Sequence, residues 1–148
     1  MKKKIAILGS TGSIGNSTLE VIRNDKKNFN VILLSANENY KKLVLQAKEF
    51  NAKNVLIKNK IFYQKVKEAL KNTSTKVFAG NVPLNKIIVG RIDYTMAAIV
   101  GIAGLQPTLD AIKKSKILAL ANKESIICAW EIISKVVKKH KTIILPVD

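Results

Sequence analysis

Seven residues near the start of the chain, Gly9-Ser10-Thr11-Gly12-Ser13-Ile14-Gly15, have the types and spacing to bind phosphate. In such a loop the first glycine permits a tight turn, the second lets the backbone approach a pyrophosphate, and the third lets helix and strand pack closely. Unpaired N–H groups at the following helix start, reinforced by the helix dipole, then hold the anion. The spacing is Gly-x-x-Gly-x-x-Gly, a variant of the usual dinucleotide fingerprint. The competing account is an ordinary glycine turn.

A second polar cluster is Leu120-Ala121-Asn122-Lys123-Glu124-Ser125. Asn122 can hydrogen-bond, Lys123 can hold a phosphate or a developing oxyanion, and Glu124 can accept from a ribose. The competing account is helix capping by Asn122 with Glu124 in the first turn, and from this stretch alone capping has the edge. A third is Ser35-Ala36-Asn37-Glu38-Asn39, about 20 residues past the glycines, where dinucleotide folds read the adenosine ribose. Glu38 stands where a carboxylate would select a 2′-hydroxyl, or it caps the next helix and faces solvent. Asp148, in Leu145-Pro146-Val147-Asp148, is a hard-metal ligand type, though one carboxylate is not a metal site. Cys128 and Trp130 read as core residues of a helix and His140 as exposed in a Lys-rich tail.

These residues need strands that end beside one another, and the hydrophobic pattern supplies them. Strands are predicted at Lys4 to Leu8, Val31 to Ser35, Val55 to Ile57, Val77-Phe78, Tyr94 to Val100, Ile117 to Leu120 and Thr142 to Val147. Helices are predicted at Ile14 to Arg23, Tyr40 to Phe50, Phe62 to Lys71, around Pro83 to Val89, Pro107 to Lys114 and Glu124 to Lys138. The first helix carries apolar residues at Ile14, Leu19, Val21 and Ile22, the second at Leu43, Val44, Ala47 and Phe50. Alternating strand and helix predicts an α/β fold, Rossmann-like and doubly wound, with a mostly parallel sheet and helices on both faces. In such sheets ligands bind at the carboxyl ends of the strands, where all four clusters fall.

At 148 residues the chain fits one domain, and 47% hydrophobic residues suffice for a core without disulfide or metal. A single Cys excludes a disulfide framework and fits a reducing, cytoplasmic setting. Met1-Lys2-Lys3-Lys4 is followed by only Ile5 to Leu8 before Gly9, short of the roughly 7–15 apolar residues of a signal peptide. The longest apolar run, Met96 to Leu105, is too short and glycine-interrupted to span a bilayer. The net charge is +16, but the excess is Lys scattered among Asn and Ile, with no Arg-rich tract and few aromatics to stack bases. Neither nucleic acid nor membrane is an expected partner, and the positive field favours anionic ligands.

Taken together, four blocks in order resemble the amino-terminal NADPH-binding domain of the 1-deoxy-D-xylulose 5-phosphate reductoisomerase family. They are Ile7 to Gly15; Met96-Ala97-Ala98-Ile99-Val100-Gly101 with Gly104-Leu105 and Pro107-Thr108-Leu109; Leu120 to Ser125; and Leu145 to Asp148. The resemblance covers the whole chain. It implies NADPH-dependent isomerisation and reduction of a phosphorylated sugar to 2-C-methyl-D-erythritol 4-phosphate for isoprenoid synthesis, with Mg²⁺ or Mn²⁺. It further implies that Thr11, Gly12, Ser13 and Ile14, with Gly9 and Gly15, line the pyrophosphate, that Asn37 and Asn39 sit by the adenosine ribose, and that Asn122 and Glu124 flank the cofactor. Lys123 would contact substrate, and Asp148 would be the first metal ligand. Many family members carry a basic residue where this chain reads Ala36-Asn37-Glu38-Asn39. The family pattern also continues past Asp148 with Ser, Glu and further domains, and its complete enzyme is a homodimer. The chain is therefore expected to bind a nicotinamide dinucleotide weakly and, alone, to be inactive. The alternatives are a non-catalytic Rossmann-type regulatory or nucleic-acid-binding domain, and a short NAD-dependent enzyme of another kind with its site at Lys123.

Overall fold

The computed structural model describes residues 1–147, with Ser125 described by its backbone alone. Strands β1 (Lys3–Leu8), β2 (Phe29–Ala36), β3 (Asn54–Ile57), β4 (Lys76–Ala79), β5 (Ile92–Ala97), β6 (Ser115–Leu120) and β7 (Ile143–Pro146) form one sheet in the order β4-β3-β2-β1-β5-β6-β7. Every pairing is parallel. Helices α1 (Ser13–Arg23), α2 (Tyr40–Phe50), α3 (Tyr63–Ala69), α4 (Leu105–Lys114) and α5 (Lys123–His140) make the crossovers. The winding reverses between β1 and β5, which creates a crevice at their carboxyl ends.

The sheet is covered on both faces because its strands are apolar on both. Ile5 and Ile7 pack with Leu19, Ile22, Leu43, Ala47, Phe50 and Val66 from α1, α2 and α3. Ala6 and Leu8 point the other way, into a cluster with Ala111, Ile112, Ala129 and Ile133 from α4 and α5. Each fully buried Leu or Ile in these layers contributes about 1.5–3 kcal/mol. In β2 the alternation slips: Ile5 pairs with Val31 but Ala6 pairs with Leu33. One extra residue is accommodated there, and Asn54, buried on β3, donates from Nδ2 to the Ile32 carbonyl at 2.9 Å. A one-residue slip exchanges the faces of everything beyond it. It thereby sets the side of the sheet that Ser35 faces.

Several expectations need correction. β5 ends at Ala97, not Val100, because Ala98 makes one last bond to the Leu8 carbonyl (2.9 Å) and the chain then turns over the glycine loop. The apolar run continues past that point because Ile99 packs against the core from outside the sheet. Cys128 is exposed and so is Trp130, with Ile127 and Ile132 beside them; α5 is apolar on more than one side, and Ala129 and Ile133 are its residues fully buried in the core. Val21 is likewise exposed, since it lies about 100° around the helix from Ile22. His140 is half-buried.

At the opposite end of the sheet, Asp93 Oδ2 accepts from the Lys4 N–H (2.8 Å) and Oδ1 from Lys116 Nζ (3.0 Å). These bonds hold its carboxyl below the usual carboxylate range, and the Arg23 guanidinium does the same to Glu49. Groups whose folded values are depressed stabilise the fold above their unfolded values, and that stability is lost as the pH falls. The urea midpoint should therefore drop below about pH 4, and Asp93→Asn, which keeps the bond to Lys4, should drop less between pH 5 and pH 3. An acid-side drop in the variant as steep as the parent's would contradict this.

Candidate functional site

The glycine loop sits at the winding reversal. Gly9 has φ +81°, and a Cβ there would stand 2.8 Å from the Ala98 carbonyl oxygen. Its N–H donates to the Ser35 carbonyl (3.1 Å) and to Ser35 Oγ (3.2 Å), while the Ser10 N–H donates to the same carbonyl at 2.8 Å. The end of β2 thus anchors the start of the loop. Gly15 is helical and buried, but a Cβ on it would meet the Gly9 carbonyl oxygen and lie 2.6 Å from Ser10 Cα. The helix therefore rests directly on the loop's backbone. Gly12 is the N-cap and makes no side-chain cap, so the first-turn N–H groups of Ser13 and Ile14 are presented to whatever fills the crevice. This is a cradle shaped for an anion.

Asn37, Glu38 and Asn39 are exposed at the mouth beyond β2. Asn39 is the N-cap of α2, its Oδ1 accepting from the Lys42 N–H at 3.3 Å. Glu38 Oε1 accepts from Asn59 Nδ2 at 3.2 Å, so its carboxylate is tied to the turn after β3.

The second cluster lies on the other side of the crevice. Asn122 is buried, and its Nδ2 donates at 2.7 Å to both the Ile99 and Gly101 carbonyls. The amide nitrogen therefore ties down the loop that carries Ala98 past Gly9, a role beyond the capping the sequence favours. Lys123 and Glu124 open α5 with exposed side chains. The Val147 N–H donates to the Leu120 carbonyl at 3.0 Å, which brings the chain's last strand alongside the start of that cluster. Asp148 lies outside the described residues. Among the described residues no group of three or more His, Cys, Asp or Glu could hold a metal ion.

The structure thus brings Gly9 to Gly15, the Ala98–Gly101 segment and Asn122-Lys123 to one end of the sheet. Sequence reasoning quoted Ser35 and Gly104 within motif blocks without giving either a role, and missed Gln46. Gln46 is buried, and its signal was a polar residue between Leu43 and Phe50 on an otherwise apolar helix face. Gly104 is needed because a Cβ there would collide with the Asn122 amide and stand 2.5 Å from the Ile99 carbonyl oxygen.

A parallel sheet whose winding reverses over a glycine loop and an uncapped helix start defines a dinucleotide-binding domain. Residues 5–130 match the family model for 1-deoxy-D-xylulose 5-phosphate reductoisomerase, and the chain belongs to that family. It is 53% identical over 148 residues to the protein of that name from Pelagibacter ubique and 45% identical to the one from Bacteroides fragilis. In each case the match covers 99% of this chain and 38% of the relative's length. The reductoisomerase of Zymomonas mobilis, solved in complex with NADPH, superposes with a TM-score of 0.94 at 44% identity, covering 100% of this chain and 39% of that one. A related structure with NADPH, fosmidomycin and magnesium superposes with a TM-score of 0.89 at 35% identity, covering 97% of this chain and 36% of that one.

Proposed function

We propose that the chain is the cofactor-binding part of an NADPH-dependent reductoisomerase acting on 1-deoxy-D-xylulose 5-phosphate. The observation that carries this reading is the cradle formed by Gly9, Gly12 and Gly15: Cβ atoms at Gly9 and Gly15 would strike backbone, and the helix start at Gly12 lacks a side-chain cap. NADPH, when bound, supplies the hydride that reduces the substrate carbonyl. Thr11, Gly12, Ser13 and Ile14 hold its pyrophosphate through main-chain N–H groups and the dipole of α1. Asn37 and Asn39 flank the adenosine ribose. Asn122 orients the facing loop and, with Glu124, borders the cofactor. Lys123 presents an ammonium that stabilises negative charge on a substrate oxygen.

The reading extends to Mg²⁺ or Mn²⁺ with Asp148 as one ligand, although a single carboxylate does not chelate a cation against water. It extends also to a phosphorylated sugar as substrate, a homodimeric and cytoplasmic complete enzyme, and no nucleic-acid or membrane partner. Among the described residues no helix is long and apolar enough to cross a membrane.

Calorimetric titration of the 148-residue chain with NADPH should show one saturable site, with no turnover of the sugar phosphate. NADH is the informative competitor, because Glu38 is the residue type that pairs with a 2′-hydroxyl and repels a 2′-phosphate. Glu38→Lys should shift the affinity ratio toward NADPH by about tenfold, the scale of one charge-assisted contact. A folded chain that binds neither dinucleotide at millimolar concentration sinks the proposal.

A further inference from the structure

Gln46 lies in the second turn of α2 with 6% of its surface exposed, among Leu43, Ala47 and Phe50. A buried amide is costly unless each of its polar atoms is satisfied, and here the partners all belong to the glycine loop and the helix it opens. Oε1 accepts from Ser10 Oγ at 2.8 Å. Nε2 donates to the Ser10 carbonyl at 3.0 Å and to Asn16 Oδ1 at 3.2 Å. Asn16 passes the connection on, its Nδ2 donating to the Thr11 carbonyl at 3.2 Å. Ser10 itself is fully buried, and its N–H donates to the Ser35 carbonyl at 2.8 Å.

We propose that Gln46 is a positioning residue for the glycine loop: its amide clamps Ser10 from two sides and, through Asn16, steadies Thr11, so that the N–H groups past Gly12 are ordered before a dinucleotide arrives. The part of the proposal concerning affinity rests on the function proposed above. The physical reason is preorganisation. A loop of glycines is entropically costly to order, and binding is tighter when that ordering is already present in the ligand-free protein. The helix that begins at the ribose side of the site thereby also supports its phosphate side.

The test uses Gln46→Met, which keeps length and apolar packing but removes all three bonds, and Gln46→Glu, which keeps size and the acceptor for the Ser10 hydroxyl but loses both donors. Backbone amide exchange is measured without ligand at 20 °C, and NADPH affinity by calorimetry at the same temperature. The hydrogen-bonded amides of Ser10, Gly12 and Asn16 should exchange about tenfold faster in both variants, as expected when one or two net hydrogen bonds are lost. Amides of β1 and β2 should stay within about twofold of the parent. NADPH affinity should fall by about tenfold. Should a Gln46 variant fail to fold, Asn16→Ala on the half-exposed face of α1 carries the same test, with the Gly12 amide, bonded to the Gly9 carbonyl, speeding up severalfold. Loop and strand amides rising together would mark a merely structural residue and overturn the proposal, as would unchanged exchange in the loop. An unsubstituted chain that fails to bind NADPH overturns the functional reading instead, and the exchange comparison still decides the role of Gln46.

Discussion

Gly15→Ala is expected to lower stability by about 2–3 kcal/mol, with the thermal midpoint down by about 5–10 °C and NADPH binding weakened at least about 100-fold. Helix propensity alone predicts the opposite sign, since alanine is favoured over glycine by about 1 kcal/mol inside a helix. Space decides the outcome. The new methyl would meet the Gly9 carbonyl oxygen and come within 2.6 and 2.7 Å of Ser10 Cα and C. These are backbone atoms and cannot rotate aside, and Ser10 is held by Ser35 and Gln46. Helix α1 must then retreat from the loop, which misplaces the N–H groups of its first turn; two charge-assisted bonds lost to phosphate account for about 3 kcal/mol of binding. Gly12→Ala is the contrasting control. Its Cβ would lie 3.6 Å from the nearest heavy atom, and its backbone is extended at φ −81° and ψ 179°. It should keep the parent's thermal midpoint while losing affinity, because on the proposed function the pyrophosphate approaches the backbone at Gly12. A Gly15→Ala protein as stable as the parent would refute the steric argument.

The second large effect concerns Asn122. Asn122→Ala should cost about 2–3 kcal/mol, because two bonds of about 1 kcal/mol each are lost and the Ile99 and Gly101 carbonyls are left without their donor. The consequence for function is local: the loop that packs on Gly9 loosens, and Lys123 next to it loses its fixed starting point. Gly104 makes the argument sharper. Gly104→Ala would drive a methyl into the Asn122 amide and toward the Ile99 carbonyl oxygen. Removing the amide relieves the first collision but not the second. Urea unfolding of the two single variants and the double variant should therefore show a double variant more stable than the sum predicts, by at least about 1 kcal/mol. Additivity within about 0.5 kcal/mol would show that the two positions do not meet.

Much of the architecture is legible in the sequence because parallel strands buried on both faces are continuous apolar runs, as in Ile5 to Leu8 and Val31 to Leu34, while the helices between them keep a 3.6-residue stripe. The glycine motif was readable for the same local reason: a strand, three glycines and a helix start are adjacent in the chain. Apolarity alone misled where it did not mean sheet or core. Ile99 is apolar because it packs outside the sheet, and the exposed apolar side chains of α5 cannot be told from buried ones by type. The supports of the site were not legible. Ser35 and Gln46 lie 26 and 36 positions from their partners, and nothing local to either announces a hydrogen bond across that distance.

By itself, then, the sequence determined the alternation of strand and helix, the glycine turn that opens the first helix, and the four motif blocks that mark the family, since each depends on residues close together in the chain. The tertiary structure decided which strands stand side by side and where the winding reverses. It also decided which face Ser35 takes after the slip in β2, and that Asn122 serves the loop beside Gly9. These outcomes depend on the register between distant strands and on the burial of polar groups that must find partners there.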